Sequence, residues 1–172
     1  DPVLVGYTPD RIALRRAMIM GFNTDEMIKV WWQGQALVAT QPIPPSVPGH
    51  VVGFKSSTPF DPALARAVLD KFGYKDRDND GFRELPDGKP LTLAMGSAPT
   101  GENRIRDELW LKNMKAIGIR IEFLKQKWPD LLKMSRAGQL QMWQLGWTAD
   151  IAESFMQLAY GPNAGETNLG RF

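Results

Sequence analysis

The stretch Gly146-Trp147-Thr148-Ala149-Asp150 holds the residue types best suited to chemistry in this chain: a broad apolar ring, a hydroxyl and a carboxylate in close succession. An apolar run, Leu140 to Leu145, leads into it and a helical pattern, Glu153 to Ala159, follows, so the stretch reads as a turn at the carboxyl end of a strand. Open α/β sheets place their ligands at that end. A ring beside a fixed negative charge suits an amine with an apolar neighbour. A plainer reading fits the same residues. Asp150-Ile151-Ala152-Glu153 spells a capping box in which Asp150 satisfies the first amides of the next helix, and spacing alone favours that role. Trp147 equally fits a core position.

A second cluster, Asp76-Arg77-Asp78-Asn79-Asp80-Gly81, matches the first half of an EF-hand calcium loop, with oxygen ligands Asp76, Asp78 and Asp80 at alternate positions and a Gly for the sharp turn. The second half departs from it: Asp87 stands in the twelfth place where a longer Glu is usual, Arg83 takes an apolar position, and Pro86 restricts the backbone. Calcium is possible here on spacing, as a structural ion, and a plain acidic turn fits as well. No cofactor is required by anything else in the chain. Cys is absent and His50 is the sole histidine, which excludes a thiol nucleophile, a Cys-based metal site and, within one chain, a multi-His site. A Ser-His-Asp triad has no convincing basis.

The charges sort in the same way. The net charge is +2, and Lys and Arg are interspersed with Asp and Glu, so no stripe recommends a nucleic-acid partner. Arg11, Arg15 and Arg16 read as a solvated helix face. Arg104 and Arg106 fall in the first turns of a helix, where cations oppose the dipole, so each is either incidental or held for an anionic partner.

These residues need a frame to hold them. At 172 residues, 43% hydrophobic and 23% charged, the chain has the composition of one globular domain. No stretch approaches the roughly 18 apolar residues of a membrane span, and the N-terminus has no signal-peptide pattern. Thr8-Pro9 opens a helix from about Asp10 to Met20, Asn23-Thr24-Asp25-Glu26 starts another with a stripe of Met27, Ile28, Val30 and Trp31, and Asp61-Pro62 starts a third that Gly73 ends. Between them, Gln41 to Pro62 carries six of the thirteen prolines and must be irregular. From Leu91 onward the order is strand (Leu91 to Met95), helix (Glu102 to Ile117, burying Ile105, Leu109, Trp110, Met114, Ala116 and Ile117), strand (Ile119 to Phe123), helix (from Trp128 to Gly138) and a more fully buried strand (Leu140 to Trp147). That alternation predicts α/β layering with a central sheet.

In order, several segments resemble the extracellular solute-binding proteins of family 5, the peptide-, dipeptide- and nickel-binding components of ABC importers. They are Arg15 to Ile28, with Asn23 where Asp is usual; the proline loop Pro42-Ile43-Pro44-Pro45; Asp61-Pro62-Ala63 leading to Gly73-Tyr74; Asp76 to Gly81 ahead of Gly88-Lys89-Pro90-Leu91; Met114 to Ile119; and Gly146 to Asp150. The resemblance implies one lobe of a type II periplasmic-binding-protein fold, with a central mixed sheet flanked by helices, residues 1–172 being the second, ligand-facing lobe of a larger two-lobe protein. It implies a periplasmic or extracellular location, free or lipid-anchored, and as partners a small peptide or other small solute, an ABC permease and the remaining lobe. By the same resemblance Asp150 binds a ligand α-amino group, Trp147 and Thr148 border the ligand, and Arg104, with Arg106 close behind, receives a carboxylate. No bond is made or broken in such a protein. The alternatives from other classes are a hydrolase using Asp150 and Glu153 as paired carboxylates, and a calcium-dependent interaction module.

Overall fold

The computed structural model describes residues 1–148 and 153–170. Three helices come first: α1 (Pro9–Gly21), α2 (Thr24–Val30) and α3 (Pro62–Lys71). An alternating series follows: β1 (Thr92–Ser97), α4 (Gly101–Ala116), β2 (Arg120–Lys125), α5 (Trp128–Arg136) and β3 (Met142–Trp143), then α6 (Glu153–Ala159) and a 3₁₀ turn at Gly161–Asn163.

Local chemistry fixes most boundaries. Asn23 accepts the Glu26 amide at 2.9 Å and Asp61 accepts the Leu64 amide at 2.8 Å, each capping its helix through the side chain. Pro9, Pro62 and Pro129 stand in first turns, where the missing N–H costs nothing. Gly73 follows α3 at φ +84°, a conformation that other residues adopt only under strain.

The sheet has the order β2-β1-β3. β1 pairs with β2 in parallel from Thr92↔Arg120 to Ser97↔Lys125, and with β3 in parallel only at Met95↔Met142 and Gly96↔Trp143. The α/β architecture is as expected, but where a mixed sheet was predicted every described ladder is parallel. α4 and α5 are crossover helices that return the chain to the same end of the sheet before β2 and β3, which enforces that sense. One face of β1 sends Leu93 and Met95 into a core shared with Leu14, Ala17, Leu69, Met114, Ile117 and Ile121. On the other face α5 sits so close that a Cβ on Gly96 would lie 2.9 Å from Leu131 Cδ2, so only Gly lets the helix approach.

Four further expectations are corrected. The strand foreseen over Leu140 to Trp147 shrinks to two residues and is half-buried, and Gly146 to Thr148 are exposed, because it pairs with β1 alone and no described strand covers its outer edge. On α4, Ile105 and Ala116 face outward; Arg106, Asp107 and Asn113 are buried in their stead, each drawn in by a nearby ring or polar group. The α2 stripe buries only Met27 fully, with Val30 exposed, since a seven-residue helix presents only one turn to α4. Arg11 and Arg15, read as a solvated face, are half-buried: Arg11 donates to Val5 O at 2.6 Å, and Arg15 to Gly6 O at 2.9 Å and to Leu4 O, tying the N-terminal segment to α1.

Candidate functional site

A cavity of about 730 Å³ runs along β3, lined by Met95, Trp110, Ser135, Leu140, Met142, Trp143, Gln144, Leu145 and Trp147. Within β3 the strand period turns Met142 and Trp143 to opposite faces. Met142 and Trp110 pack against the main core, whereas Trp143 faces α5, where its ring lies 6.5 Å from that of Trp128. Trp147 stands at the mouth with 52% of its surface exposed, beyond the carboxyl end of β3. An exposed indole on a cavity wall is a ready stacking face. Thr148 beside it is also exposed. Asp150, with its capping and ligand roles, lies outside the described residues.

The two arginines diverge. Arg104 is exposed and its Nε donates to Glu108 Oε1 at 2.9 Å, one helical turn on. Arg106 is 8% exposed, with its guanidinium carbon 5.4 Å from the Trp31 ring centroid, and its Nε is without a hydrogen-bond partner. Burial pulls the Arg106 guanidinium below its ordinary pKa, against the opposing charges of Asp107 and Glu102. Neither arginine lines the cavity that holds Trp147.

At the carboxyl ends of β1 and β2 a buried polar group is assembled. Ser97 Oγ donates to Asp107 Oδ2 at 2.7 Å and Lys125 pairs with the same oxygen, while Asp107 Oδ1 has no partner among the described residues. The sequence reading missed this group, and it missed Trp110, Ser135 and Gln144. A signal for the last was present: Gln141 and Gln144 interrupt an otherwise apolar strand. Gln141 Oε1 accepts the Ala94 amide at 2.6 Å and so extends the thin β1–β3 ladder, whereas Gln144 Oε1 is buried without a partner.

The acidic turn lies away from this cavity. Asp76, Asp78 and Glu84 bring carboxylate oxygens within 4.8 Å of one another, a set able to hold a hard cation. Asp80 points elsewhere: its Oδ2 accepts from Arg120 at 2.5 Å and its Oδ1 from the Phe82 amide at 2.8 Å. The predicted trio is therefore rearranged, with Glu84 in the place of Asp80. His50 is tied into the proline loop, Nδ1 2.8 Å from Ile43 O.

Comparison with known proteins places this arrangement. Residues 7–167 match the family described as bacterial extracellular solute-binding proteins, family 5 Middle. Over 139 residues the chain is 32% identical to di/tripeptide-binding protein 2 of Pseudomonas aeruginosa, covering 80% of this chain and 24% of that protein. Over 141 residues it is 26% identical to the dipeptide-binding protein of Escherichia coli, covering 82% and 25%. The chain thus spans about a quarter of the length of the curated relatives it matches. Among solved structures, NikA from Brucella suis in complex with Fe(III)-EDTA superposes with a TM-score of 0.76 at 24% identity, over 91% of this chain and 31% of that one. Matched by that family over nearly its whole length, this chain belongs to the bacterial extracellular solute-binding proteins of family 5, within the middle region of that family.

Proposed function

We propose that this chain is the ligand-facing lobe of a two-lobe binding protein, the component of an ABC importer that captures a peptide-like or amine-bearing small solute in a cleft and delivers it to the permease. The observation that carries this is Trp147, half-exposed on the wall of a cavity at the carboxyl end of a parallel sheet, with Asp150 three positions on in the sequence. Relatives named as di/tripeptide- and dipeptide-binding proteins support the solute class. In this reading Asp150 pairs with the ligand amine through charge-assisted hydrogen bonds, Trp147 stacks on the neighbouring apolar part and Thr148 lies on the same wall. Arg106 is the better carboxylate receptor of the two arginines, because its desolvated guanidinium has a free donor while Arg104 is exposed and spent on Glu108. The second lobe closes the cleft from the other side. A periplasmic or extracellular location, free or lipid-anchored, belongs to the same proposal, and no helix among the described residues is long and apolar enough to cross a membrane. A calcium ion at Asp76, Asp78 and Glu84 is proposed as a separate, purely structural feature.

The test is titration calorimetry of short peptides into the full-length protein and its Asp150→Asn variant. Removing the charge should weaken amine-bearing ligands by at least about 1.5 kcal/mol, roughly tenfold. Unchanged affinity would remove Asp150 from the site, and no peptide binding at all would remove the peptide reading.

A further inference from the structure

Many of the apolar side chains that the core leaves out gather between α2 and α3. Leu37, Val38, Val51, Val52, Phe54 and Phe60 are all exposed, from 46% at Val38 to 92% at Val52. Part of this face is a groove of about 530 Å³ in which Val38, Phe54 and Phe60 meet Ile19 and Phe22 at the end of α1. The groove shares no lining residue with the cavity along β3. Single apolar residues are ordinary on a surface, whereas a contiguous group marks an interaction site. Charge is nearly missing here. Between Trp31 and Phe60, Lys55 is the only Asp, Glu, Lys or Arg, in a chain that is 23% charged. The segment also runs without helix or strand from Trp31 to Asp61, well beyond the roughly 15 residues at which a structureless loop is either functional or disordered. This one has a fixed course. Gln41 clasps Val51, its Nε2 donating to Val51 O at 2.8 Å and its Oε1 accepting the Val51 amide at 3.0 Å, and the His50 ring donates through Nδ1 to Ile43 O at 2.8 Å.

We infer that this face is a permanent interface, covered in the whole protein by polypeptide outside residues 1–172, and separate from the cleft that opens and closes on a solute; the inference rests on the two-lobe reading above. The chain spans 24% of a curated relative that it matches at 32% identity, so most of a protein of that length is at hand to serve as cover. Composition selects this occupant over the others. A surface that is bare for part of its working cycle, as a cleft wall or a transient docking site is, carries a polar rim. Obligate contacts resemble a core cut in two. An anionic lipid surface calls for a basic cluster, which Lys55 alone does not provide. The clasped, proline-rich course adds to the case, because a segment already fixed in shape loses little conformational freedom when it is covered.

Hydroxyl-radical labelling of the full-length protein, read by mass spectrometry, tests the interface, and leucines compare directly because they share one intrinsic reactivity. Leu37, 81% exposed in this chain, is expected to label as slowly as the fully buried Leu69, with or without the dipeptide Ala-Leu. In Val52→Asp a charge is placed where a bare surface would tolerate it and a covered one would not. Leu37 should then label faster than in the wild type while Leu69 stays slow, which separates uncovering from unfolding. Labelling of wild-type Leu37 near its rate in urea overturns the interface, and the peptide reading, judged by calorimetry, is untouched. Protection that fades on dilution points to a second copy, protection only in the presence of phosphatidylglycerol vesicles to a membrane, and protection only with peptide to the cleft; each overturns the inference. A protected Leu37 in a protein that binds no peptide sustains the interface and removes the solute reading.

Discussion

The acidic turn and the β3 edge treat buried polarity in opposite ways. Around residues 70–90 the donors and acceptors are answered from within. Arg83 donates through Nε to Ile117 O at 2.9 Å and through an Nη to Tyr74 O at 2.6 Å and Asp70 Oδ1 at 2.5 Å. Arg77 reaches Leu85 O at 2.9 Å, and Arg120 holds Asp80 while its guanidinium lies 4.3 Å from the Phe82 ring centroid. None of the buried side-chain atoms without partners falls in this segment; they fall instead at Trp31, on α4, at Ser135 and at Gln144. The first region is finished by its own sequence. The second carries buried polar atoms that nothing among the described residues answers.

Two arginine substitutions test this contrast most strongly. Arg83→Met strips donors from the Ile117 and Tyr74 carbonyls and should lower the unfolding free energy by about 3 kcal/mol in urea titration at unchanged m value. Little of that comes from Asp70, whose side chain is 58% exposed. Arg106→Met removes a buried cation with an unanswered Nε and keeps the packing on Trp31, so stability should move by no more than about 1 kcal/mol, in either direction. An equal loss in the two variants would break the contrast.

The same contrast explains what could be read from the sequence. Regions finished by local chemistry were legible: the Asn23 and Asp61 caps, the Gly73 stop, the alternation of β2 and the order of β1 through α5 all rest on contacts a few residues apart or on a periodicity. What failed depended on distant partners. The burial of Arg106 needs Trp31, that of Asp107 needs Ser97 and Lys125, and Arg15 is held by Leu4 and Gly6. β3 was overestimated because an apolar run reads as buried whether or not a second strand lies beside it. At the site, Trp147 was singled out by its type and its place after an apolar run, whereas Gln144 and Ser135 are brought to it only by the cavity.

A gentler test concerns calcium. If the acidic turn is complete without an ion, then calcium bound by Asp76, Asp78 and Glu84 adds to a structure already formed. Excess calcium over chelator should raise the melting midpoint by only about 3 °C, corresponding to about 1 kcal/mol for a chain of this size, and Asp78→Asn should abolish the rise. A rise exceeding the loss in Arg83→Met would mean that the turn depends on the ion, and no rise withdraws the ion.

The smallest effect is expected at Tyr74, which closes the α3 side of the finished region. Its side chain is 1% exposed and its hydroxyl donates to Asp10 O at 3.2 Å. Burial first, and then the charge of Asp10, push its pKa up to about 12 against the pull of Arg11. The unfolded chain titrates near 10. Between those values the unfolded state releases a proton that the folded state keeps, so the contribution is intact below about pH 10 and drains away as the pH rises through about 12. Tyr74→Phe should cost about 1 kcal/mol at neutral pH through the lost hydrogen bond. That gap from wild type should then narrow in alkali, because only the wild type loses stability at this position. Parallel stability curves from pH 8 to pH 12 would show that the hydroxyl is not held as the structure places it, and the finished character of this region would then stop at Arg83.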